Sequence, residues 1–264
     1  MNLFSANGIT AGYGKKAVVN GISFALEAGE LMGIVGANGC GKTTLLKALC
    51  GILPHEGSCE LGCTVLERLS ARNLARLVSY IPQRSGIHID IPALDVVLMG
   101  FNPHLGLLEQ PSAAMRESAR DALALVGLSG LEETNYLHFS EGQKQLCILA
   151  RTLVAGSRLL LLDEPESALD FRFRHQALSL LRHWAATEQG SAIVALHDPA
   201  LALNYCDRLL VLDKGRVLGE IRPKTDPLSQ TEQLLSQIYG PLQLQWCTAG
   251  KEARQIVMLK KEQS

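Results

Sequence analysis

The sequence predicts an α/β fold in which a mostly parallel sheet is joined by a small antiparallel β subdomain and an inserted helical subdomain. Residues 31–35, 159–162 and 192–196 are apolar runs of strand length. The last two end in polar residues, and ligands of open parallel sheets bind at such strand ends. From Gln83 to Ser140 the apolar residues take helical spacing instead, which predicts the insertion.

Further segments complete the β structure. Residues 2–10 and 18–26 are predicted as short strands around a Gly-Tyr-Gly turn at 12–14, and residues 57–64 add another β segment. These three segments predict the antiparallel layer. Residues 78–81 form a predicted strand that Pro82 ends, because proline cannot donate to a sheet ladder.

The helical subdomain is predicted over about residues 84–155, within a sheet domain that spans residues 1–222. Pro111 is expected in the first turn of a helix. One face of that helix carries Met115, Ala119, Ala122 and Val126.

Residues 223–264 are predicted as a C-terminal extension. After Gly215 the pattern predicts a strand, then a helix over about 229–239 and a β-like tail with apolar residues at 242, 244 and 256–258. No function follows from this extension.

Composition narrows the class of protein. The 264 residues suffice for a sizeable core, and 25 basic against 26 acidic side chains give no global charge that would attract nucleic acid. No apolar run is long enough to span a membrane, and the N-terminus lacks a signal sequence. The protein is therefore expected neither to cross a membrane nor to be exported, and no nucleic-acid partner is expected.

The seven cysteines are scattered and odd in number, which favours a reducing compartment. Cys59 and Cys63 could form half of a metal site, or they are simply two thiols of a strand. The absence of a second pair at ligand spacing favours the second interpretation.

The most informative motif is a phosphate-binding loop that follows the first apolar run. It has the form G-x-x-x-x-G-K-[ST] and is followed by the predicted helix 45–49, the context that a P-loop requires. Successive backbone N–H groups and the positive end of the helix favour phosphate oxygens, so the sequence predicts a P-loop nucleoside triphosphatase core. The motif consists of Gly36, Ala37, Asn38, Gly39, Cys40, Gly41, Lys42, Thr43 and Thr44.

Within this core, specific residues have predicted roles in binding and hydrolysing a nucleoside triphosphate. Lys42 is expected to reach the β- and γ-phosphates, and the Thr43 hydroxyl to bind Mg²⁺. Asp163 and Glu164 follow the apolar strand 159–162. Asp163 is expected to hold Mg²⁺ and Glu164 to take a proton from the attacking water.

The order of these motifs resembles the nucleotide-binding subunit of ATP-binding cassette (ABC) transporters over about residues 2–222. The most specific element is Ser140-Glu141-Gly142-Gln143, which opens a helix shortly before the acidic strand. The resemblance rests on Tyr13, residues 36–44, Gln83, residues 139–143, Asp163, Glu164, residues 167–170 and His197.

The resemblance implies further site residues. Tyr13 corresponds to an aromatic residue that stacks on adenine, Gln83 to a glutamine that senses Mg²⁺ and the attacking water, and His197 to a histidine that contacts the γ-phosphate. The alternatives are an ordinary turn tyrosine, a solvated loop amide and a structural histidine.

The resemblance also implies a head-to-tail homodimer with two ATP sites at its interface. Ser140, Gly142 and Gln143 would close over the ATP of the second subunit, and Asp170, with Ser167, would couple the two sites. Hydrolysis would then release the γ-phosphate contacts that hold the dimer shut.

Two residues depart from the family pattern. Glu141 stands where the signature usually has glycine, and it brings a negative charge near a triphosphate unless its side chain points to solvent. We expect it to point to solvent. Glu166 replaces the usual threonine after Pro165 and adds a carboxylate beside Glu164.

A subfamily resemblance concerns the insertion. Residues 91–100 and 102–106 resemble importers of iron chelates, cobalamin and haem, and so do His197-Asp198 and residues 205–208. This implies an ATPase on the cytoplasmic face of a bacterial or archaeal membrane, with permease subunits and, indirectly, an external binding protein. The apolar surface around Gln83 to Leu105 would form a groove that receives a short helix of the permease, or its residues form a buried core helix.

Other functions stay open at this stage. The chain could be a soluble ABC-type ATPase acting on DNA or ribosomes, an exporter ATPase, or a regulatory module without turnover. The intact Glu164 and His197 argue against the last.

Overall fold

A six-stranded sheet forms the centre of the molecule. The computed structural model describes residues 2–83, 86–188, 190–249 and 253–261. The sheet has the strand order β10-β9-β3-β8-β7-β6, and every neighbouring pair is parallel except β10 with β9. Its strands are β3 (Leu31–Gly36), β6 (Val78–Ile81), β7 (Leu159–Asp163), β8 (Ser191–Ala195), β9 (Arg208–Asp213) and β10 (Arg216–Ile221). The predicted mostly parallel sheet is confirmed.

Both faces of this sheet are buried, and side-chain alternation divides its residues between two cores. Leu160 and Leu162 of β7 belong to the core on the helical side, whereas Leu159 and Leu161 face the core shared with the antiparallel layer. A parallel strand that is covered on both faces has a continuous apolar sequence, and for this reason β7 could be predicted from the sequence.

The antiparallel layer is a second sheet with the order β2-β1-β4-β5. It consists of β1 (Asn2–Tyr13), β2 (Lys16–Glu27), β4 (His55–Leu61) and β5 (Thr64–Val65). Both long strands extend further than predicted, and the turn between them lies at residues 14–15 instead of 12–14. Gly12 lies within β1, and only glycine fits there because a Cβ would lie 2.0 Å from the carbonyl oxygen of Lys16. Cys63 lies in the turn between β4 and β5, so the interpretation of two strand thiols was wrong for Cys63.

The helical insertion lies between β6 and β7, which pair with each other in the central sheet. Its helices are α3 (Ala93–Leu98), α4 (Ala113–Leu125) and α5 (Glu141–Leu153), with 3₁₀ turns at Met99–Phe101 and Tyr136–His138. Because these strands are parallel, the insertion begins at the carboxyl end of β6 and returns to the amino end of β7, at the opposite end of the strands. The boundary numbers 84–155 and 1–222 stay predictions.

Two details of the insertion differ from expectation. Pro111 precedes α4 rather than opening it, because Ser112 is the N-cap and its Oγ accepts the N–H of Met115 at 3.2 Å. In α3, residues 93, 94 and 96–98 are buried, so this segment is a core helix rather than an exposed groove. The face at Met115, Ala119, Ala122 and Val126 packs into the core as predicted.

The remaining helices cover the sheet and carry the C-terminal extension. They are α1 (Lys42–Leu49), α2 (Ala71–Leu77), α6 (Phe171–Glu188), α7 (Pro199–Tyr205) and α8 (Leu228–Tyr239). The extension ends in the hairpin of β11 (Leu242–Ala249) and β12 (Ala253–Lys260). In the part of the chain that the structure describes, no helix combines the length and the apolar character that crossing a membrane would require.

Candidate nucleotide site

The P-loop connects β3 to α1 at the carboxyl edge of the central sheet. Gly41 is the N-cap of α1 with φ of 112°, and a Cβ there would lie 2.6 Å from Val19 Cγ1, so both the backbone and the space require glycine. Cys40 is buried, and burial raises the pKa of its thiol despite the nearby Lys42. This cysteine packs under the loop, where the raised pKa disfavours the reactive thiolate.

A cavity of about 210 Å³ opens over this loop. Tyr13, 54% exposed, contributes to its wall together with Glu164, so the structure brings the predicted stacking tyrosine to the phosphate loop. The other residues that line it are Val18, Asn38, Gly39, Gly41, Lys42, Thr43 and Thr44.

The carboxylates at the end of β7 contact the start of α1. Thr43 Oγ1 donates to Asp163 Oδ1 at 3.0 Å, and Tyr80 OH donates to Asp163 Oδ2 at 3.3 Å. Burial raises the pKa of Asp163, while these two hydrogen bonds act in the opposite direction. Tyr80 was not predicted as a site residue, although its position two residues before Pro82 places it at the same sheet edge.

Glu164 is held between two other predicted site residues. Its Oε1 lies 3.9 Å from Lys42 Nζ, and its Oε2 accepts a hydrogen bond of 2.8 Å from Gln83 Nε2. Lys42 Nζ also donates to Gly36 O at 3.0 Å. The backbone of Glu164 has φ of 49°, a left-handed conformation that is strained for a residue with a Cβ. Such strain is typical of functional sites.

Glu166 is the unexpected member of the site. It is buried, and its Oε1 accepts the backbone N–H of His197 at 3.1 Å, whereas its Oε2 has no hydrogen-bond partner among the described residues. Burial raises the pKa of Glu166, and the charge of Glu164 acts in the same direction. The sequence marked this position only as a departure from the family pattern.

The signature segment forms a second, separate helix start. Ser140 caps α5: its Oγ accepts the N–H of Gln143 at 3.2 Å, and its own N–H donates to Gln143 Oε1 at 2.9 Å. The first-turn N–H groups of a helix have no intrahelical acceptor, so those at Glu141 and Gly142 suit an anion. The Glu141 side chain is 75% exposed, and its Oε1 lies 2.8 Å from Lys144 Nζ. It therefore points to solvent, as predicted.

The chain does not gather all predicted residues around one cavity. In the ranges described, the lining of the P-loop cavity includes none of Ser140, Gly142, Gln143, Asp170 and His197. Asp170 instead caps α6, where its Oδ1 accepts the N–H of Phe173 at 3.0 Å. The signature helix start is thus presented elsewhere on the surface.

Taken together, the P-loop between a buried parallel strand and a helix, with the Asp163-Glu164 pair beside it, defines a P-loop nucleoside triphosphatase. Residues 19–167 match the ABC transporter family. The chain belongs to that family and is an ATP-binding, ATP-hydrolysing protein.

Individual relatives agree with this assignment. The chain is 34% identical to the hemin import ATP-binding protein HmuV of Vibrio cholerae over 86% of this chain and 87% of that protein. It is 31% identical to an iron chelatin transport ATP-binding protein of Helicobacter pylori over 89% and 92% of the two chains. A solved structure described as a metal-chelate type ABC transporter, in an inward-facing conformation, superposes with a TM-score of 0.82 at 25% identity and covers 99% of each chain.

Proposed function

We propose that this chain is the ATPase subunit of an importer for haem or a related iron chelate. Support comes from the relatives named for hemin import and iron chelatin transport. The subunit would work at the cytoplasmic face of a bacterial or archaeal membrane with permease subunits, and an external binding protein would deliver the cargo. Since α3 is buried, a permease contact would fall to exposed apolar residues of the insertion, of which Leu107 and Leu108 are the most exposed in the described part of the chain.

The observation that carries the ATPase proposal is the position of Glu164 between Lys42 and Gln83. A carboxylate beside a P-loop lysine can accept a proton from a water that attacks the γ-phosphate. The hydrogen bond from Gln83 fixes its direction. Lys42, now bonded to Gly36 O, would turn its charge to the β- and γ-phosphates when nucleotide enters.

The residues present also fit Mg²⁺. Thr43 Oγ1 and Asp163 Oδ1 lie 3.0 Å apart at the loop, and magnesium prefers such oxygen ligands. Gln83 would offer its side-chain oxygen as a further ligand. The ion, when bound, neutralises charge that develops on the phosphate oxygens.

The remaining predicted residues complete the pocket in this proposal. Tyr13 would stack on adenine, and His197, held through its N–H by Glu166, would contact the γ-phosphate. Ser140, Gly142 and Gln143 are absent from the lining of the P-loop cavity in the described ranges, which supports their supply by a second subunit. The proposed assembly is therefore a head-to-tail homodimer with two shared ATP sites, in which Asp170 lies near the interface.

The test is Glu164→Gln, which keeps the shape of the side chain but cannot accept the proton. We expect ATP turnover to fall by about 10²- to 10⁴-fold, the usual contribution of a general base. We also expect the variant with ATP and Mg²⁺ to elute as a dimer in size-exclusion chromatography with light scattering. Glu141→Gln, which changes an exposed carboxylate, is the matched control and should leave turnover within a few fold.

Two results would contradict the proposal. Full hydrolysis by the Glu164→Gln variant would remove Glu164 from its role. A monomer at saturating ATP would remove the shared sites. The cargo is tested separately, by measuring whether haem or an iron chelate on a copurified binding protein stimulates turnover of the complete transporter.

A further inference from the structure

Three side chains with metal-binding atoms converge at one end of the antiparallel layer. His55 and Cys59 lie on the same face of β4, and Glu67 comes from the 3₁₀ turn Leu66–Arg68. Their ligand atoms all lie within 4.8 Å of one another. None of the three belongs to the nucleotide site.

The two ring nitrogens of His55 face two acceptors. Nδ1 lies 3.5 Å from Leu53 O, and Nε2 lies 3.1 Å from Glu67 Oε1. If Nδ1 donates to the carbonyl, the lone pair of Nε2 points at a carboxylate oxygen, and two acceptors cannot approach this closely unaided. In the other neutral tautomer Nε2 carries the proton and donates to Glu67 Oε1, so either a proton on Nε2 or a metal ion accounts for the contact.

The surroundings favour a metal ion. Metal-binding histidines commonly donate their other nitrogen to a backbone carbonyl, and ligating carboxylates are commonly fixed by a hydrogen bond. Glu67 has such a bond, because the N–H of Cys59 donates to its Oε1 at 2.6 Å. The third atom is the thiol of Cys59, a buried soft ligand on the same strand.

The cluster is nearly buried at His55 and partly exposed to solvent at Glu67. The His55 side chain is 8% exposed and that of Glu67 32% exposed. Both line a cavity of about 640 Å³, which would admit an ion and leave a fourth coordination position for water or another ligand.

We propose that His55, Cys59 and Glu67 bind a zinc ion. One imidazole, one thiolate and one carboxylate are a donor set for zinc and unsuited to magnesium or calcium, which take oxygen ligands. With bonds of about 2.0–2.1 Å, the nitrogen and oxygen ligands of a tetrahedral zinc are about 3.3 Å apart. The observed 3.1 Å is close to that edge. Zinc would join β4 to the 3₁₀ turn beneath it.

The test uses the full chain without nucleotide, stripped of metal with a chelator and titrated with Co²⁺. A thiolate ligand gives cobalt a near-ultraviolet charge-transfer band, which metal at Thr43 and Asp163 cannot produce. We expect one Co²⁺ per chain and loss of the band when Zn²⁺ displaces it. Cys59→Ser should abolish the band. Cys63→Ser, an exposed thiol in the next turn, is the matched control and should keep it.

A second readout covers the case in which Cys59→Ser folds poorly. Zn²⁺ should raise the Tm of the native chain by at least about 3 °C, and His55→Gln should weaken Zn²⁺ binding by at least about tenfold. The proposal is overturned by a native chain that gives no cobalt band, by a band that survives Cys59→Ser, or by equal Zn²⁺-induced shifts in the native chain and His55→Gln. Those results would leave a His55–Glu67 ion pair as the explanation of the contact.

Discussion

At the scale of single residues, Tyr13 shows how exposure indicates a role. The ring of Tyr13 is 54% exposed beside the phosphate loop, so burial in a core does not account for an aromatic residue at this position. Stacking of a base on such a ring contributes about 1–3 kcal/mol.

The first prediction therefore concerns nucleotide affinity. Tyr13→Ala should raise the KM for ATP by about 5- to 150-fold, which corresponds to those 1–3 kcal/mol, with kcat little changed. Tyr13→Trp preserves a ring and should stay near the native value. Steady-state ATPase kinetics measures both, and an unchanged KM in Tyr13→Ala would mean an ordinary turn tyrosine.

Glu166 leads to a prediction about pH. Burial raises its pKa above the ordinary value of 4.5, so the folded chain keeps a proton that the unfolded chain has already lost. The free energy of unfolding therefore falls as the pH rises through the range just above 4.5. Glutamine at this position does not titrate, so Glu166→Gln removes this pH-dependent fall in the free energy of unfolding. Its side-chain oxygen can still accept the N–H of His197.

The expected result is a Tm difference between Glu166→Gln and the native chain that moves in favour of the variant from about pH 4.5 to about pH 7. Thermal unfolding followed by circular dichroism measures it. Glu141→Gln, which alters an exposed carboxylate, should show no such trend. A constant difference for Glu166→Gln would mean that Glu166 titrates alike in both states.

At the scale of elements, the cap of α5 combines stability with recognition. Ser140 and Ser112 are both N-caps that accept the N–H three residues on, at the same 3.2 Å. Only the helix that begins after Ser140 carries the ABC signature, so the two serines form a matched pair.

We expect Ser140→Ala and Ser112→Ala each to cost about 1 kcal/mol of stability, since each removes one cap. Only Ser140→Ala should also weaken ATP-dependent dimer formation, measured by light scattering in the Glu164→Gln background. Equal loss of dimer in both variants would attribute the effect to helix stability alone.

The elements were predictable where one physical signal dominated. Continuous apolar runs gave β3, β7 and β8, because these strands are buried on both faces. The turn after Tyr13 was misplaced because two glycines, at 12 and 14, fit a turn equally well in sequence, and only the approach of the neighbouring strand separates them. The exposed groove was misjudged because apolar residues of α3 serve a core and a surface alike.

The candidate site was predictable to a similar degree. The P-loop, Asp163 and Glu164 follow from motifs whose chemistry is local in sequence, whereas Gln83 followed from the family resemblance. Tyr80 and the contact from Glu166 to His197 join segments far apart in the chain, and nothing in a linear pattern reports such a contact. The cluster at His55 joins β4 to the 3₁₀ turn Leu66–Arg68, whereas the spacing in sequence suggests only Cys59 with Cys63.

At the scale of the whole molecule, one side chain of the nucleotide-binding core hydrogen-bonds to the C-terminal hairpin, whose apolar residues also pack into the core. Asn204 on α7 accepts the N–H of Ile256 at 2.8 Å, and its amide donates to Ile256 O at 2.9 Å. α7 begins two residues after His197. The tail therefore contacts the helix that follows a predicted γ-phosphate residue.

Asn204→Ala should loosen β12 first, because it leaves both polar groups of Ile256 without this partner, at a cost of about 1–3 kcal/mol. Amide hydrogen exchange at Ile256 should become faster, while exchange in β3 stays as it was. Gln237→Ala, on the outer side of α8, is the control. Equal protection of Ile256 in both variants would mean that other contacts hold the hairpin.

The left-handed backbone at Glu164 has a consequence for engineering this ATPase. Glycine or asparagine would relax that backbone, so we expect either to raise resistance to heat while lowering turnover as Glu164→Gln does. Directed evolution that selects for thermal stability alone would therefore enrich inactive variants substituted at Glu164. Each round of selection for stability therefore needs a parallel screen for ATPase activity.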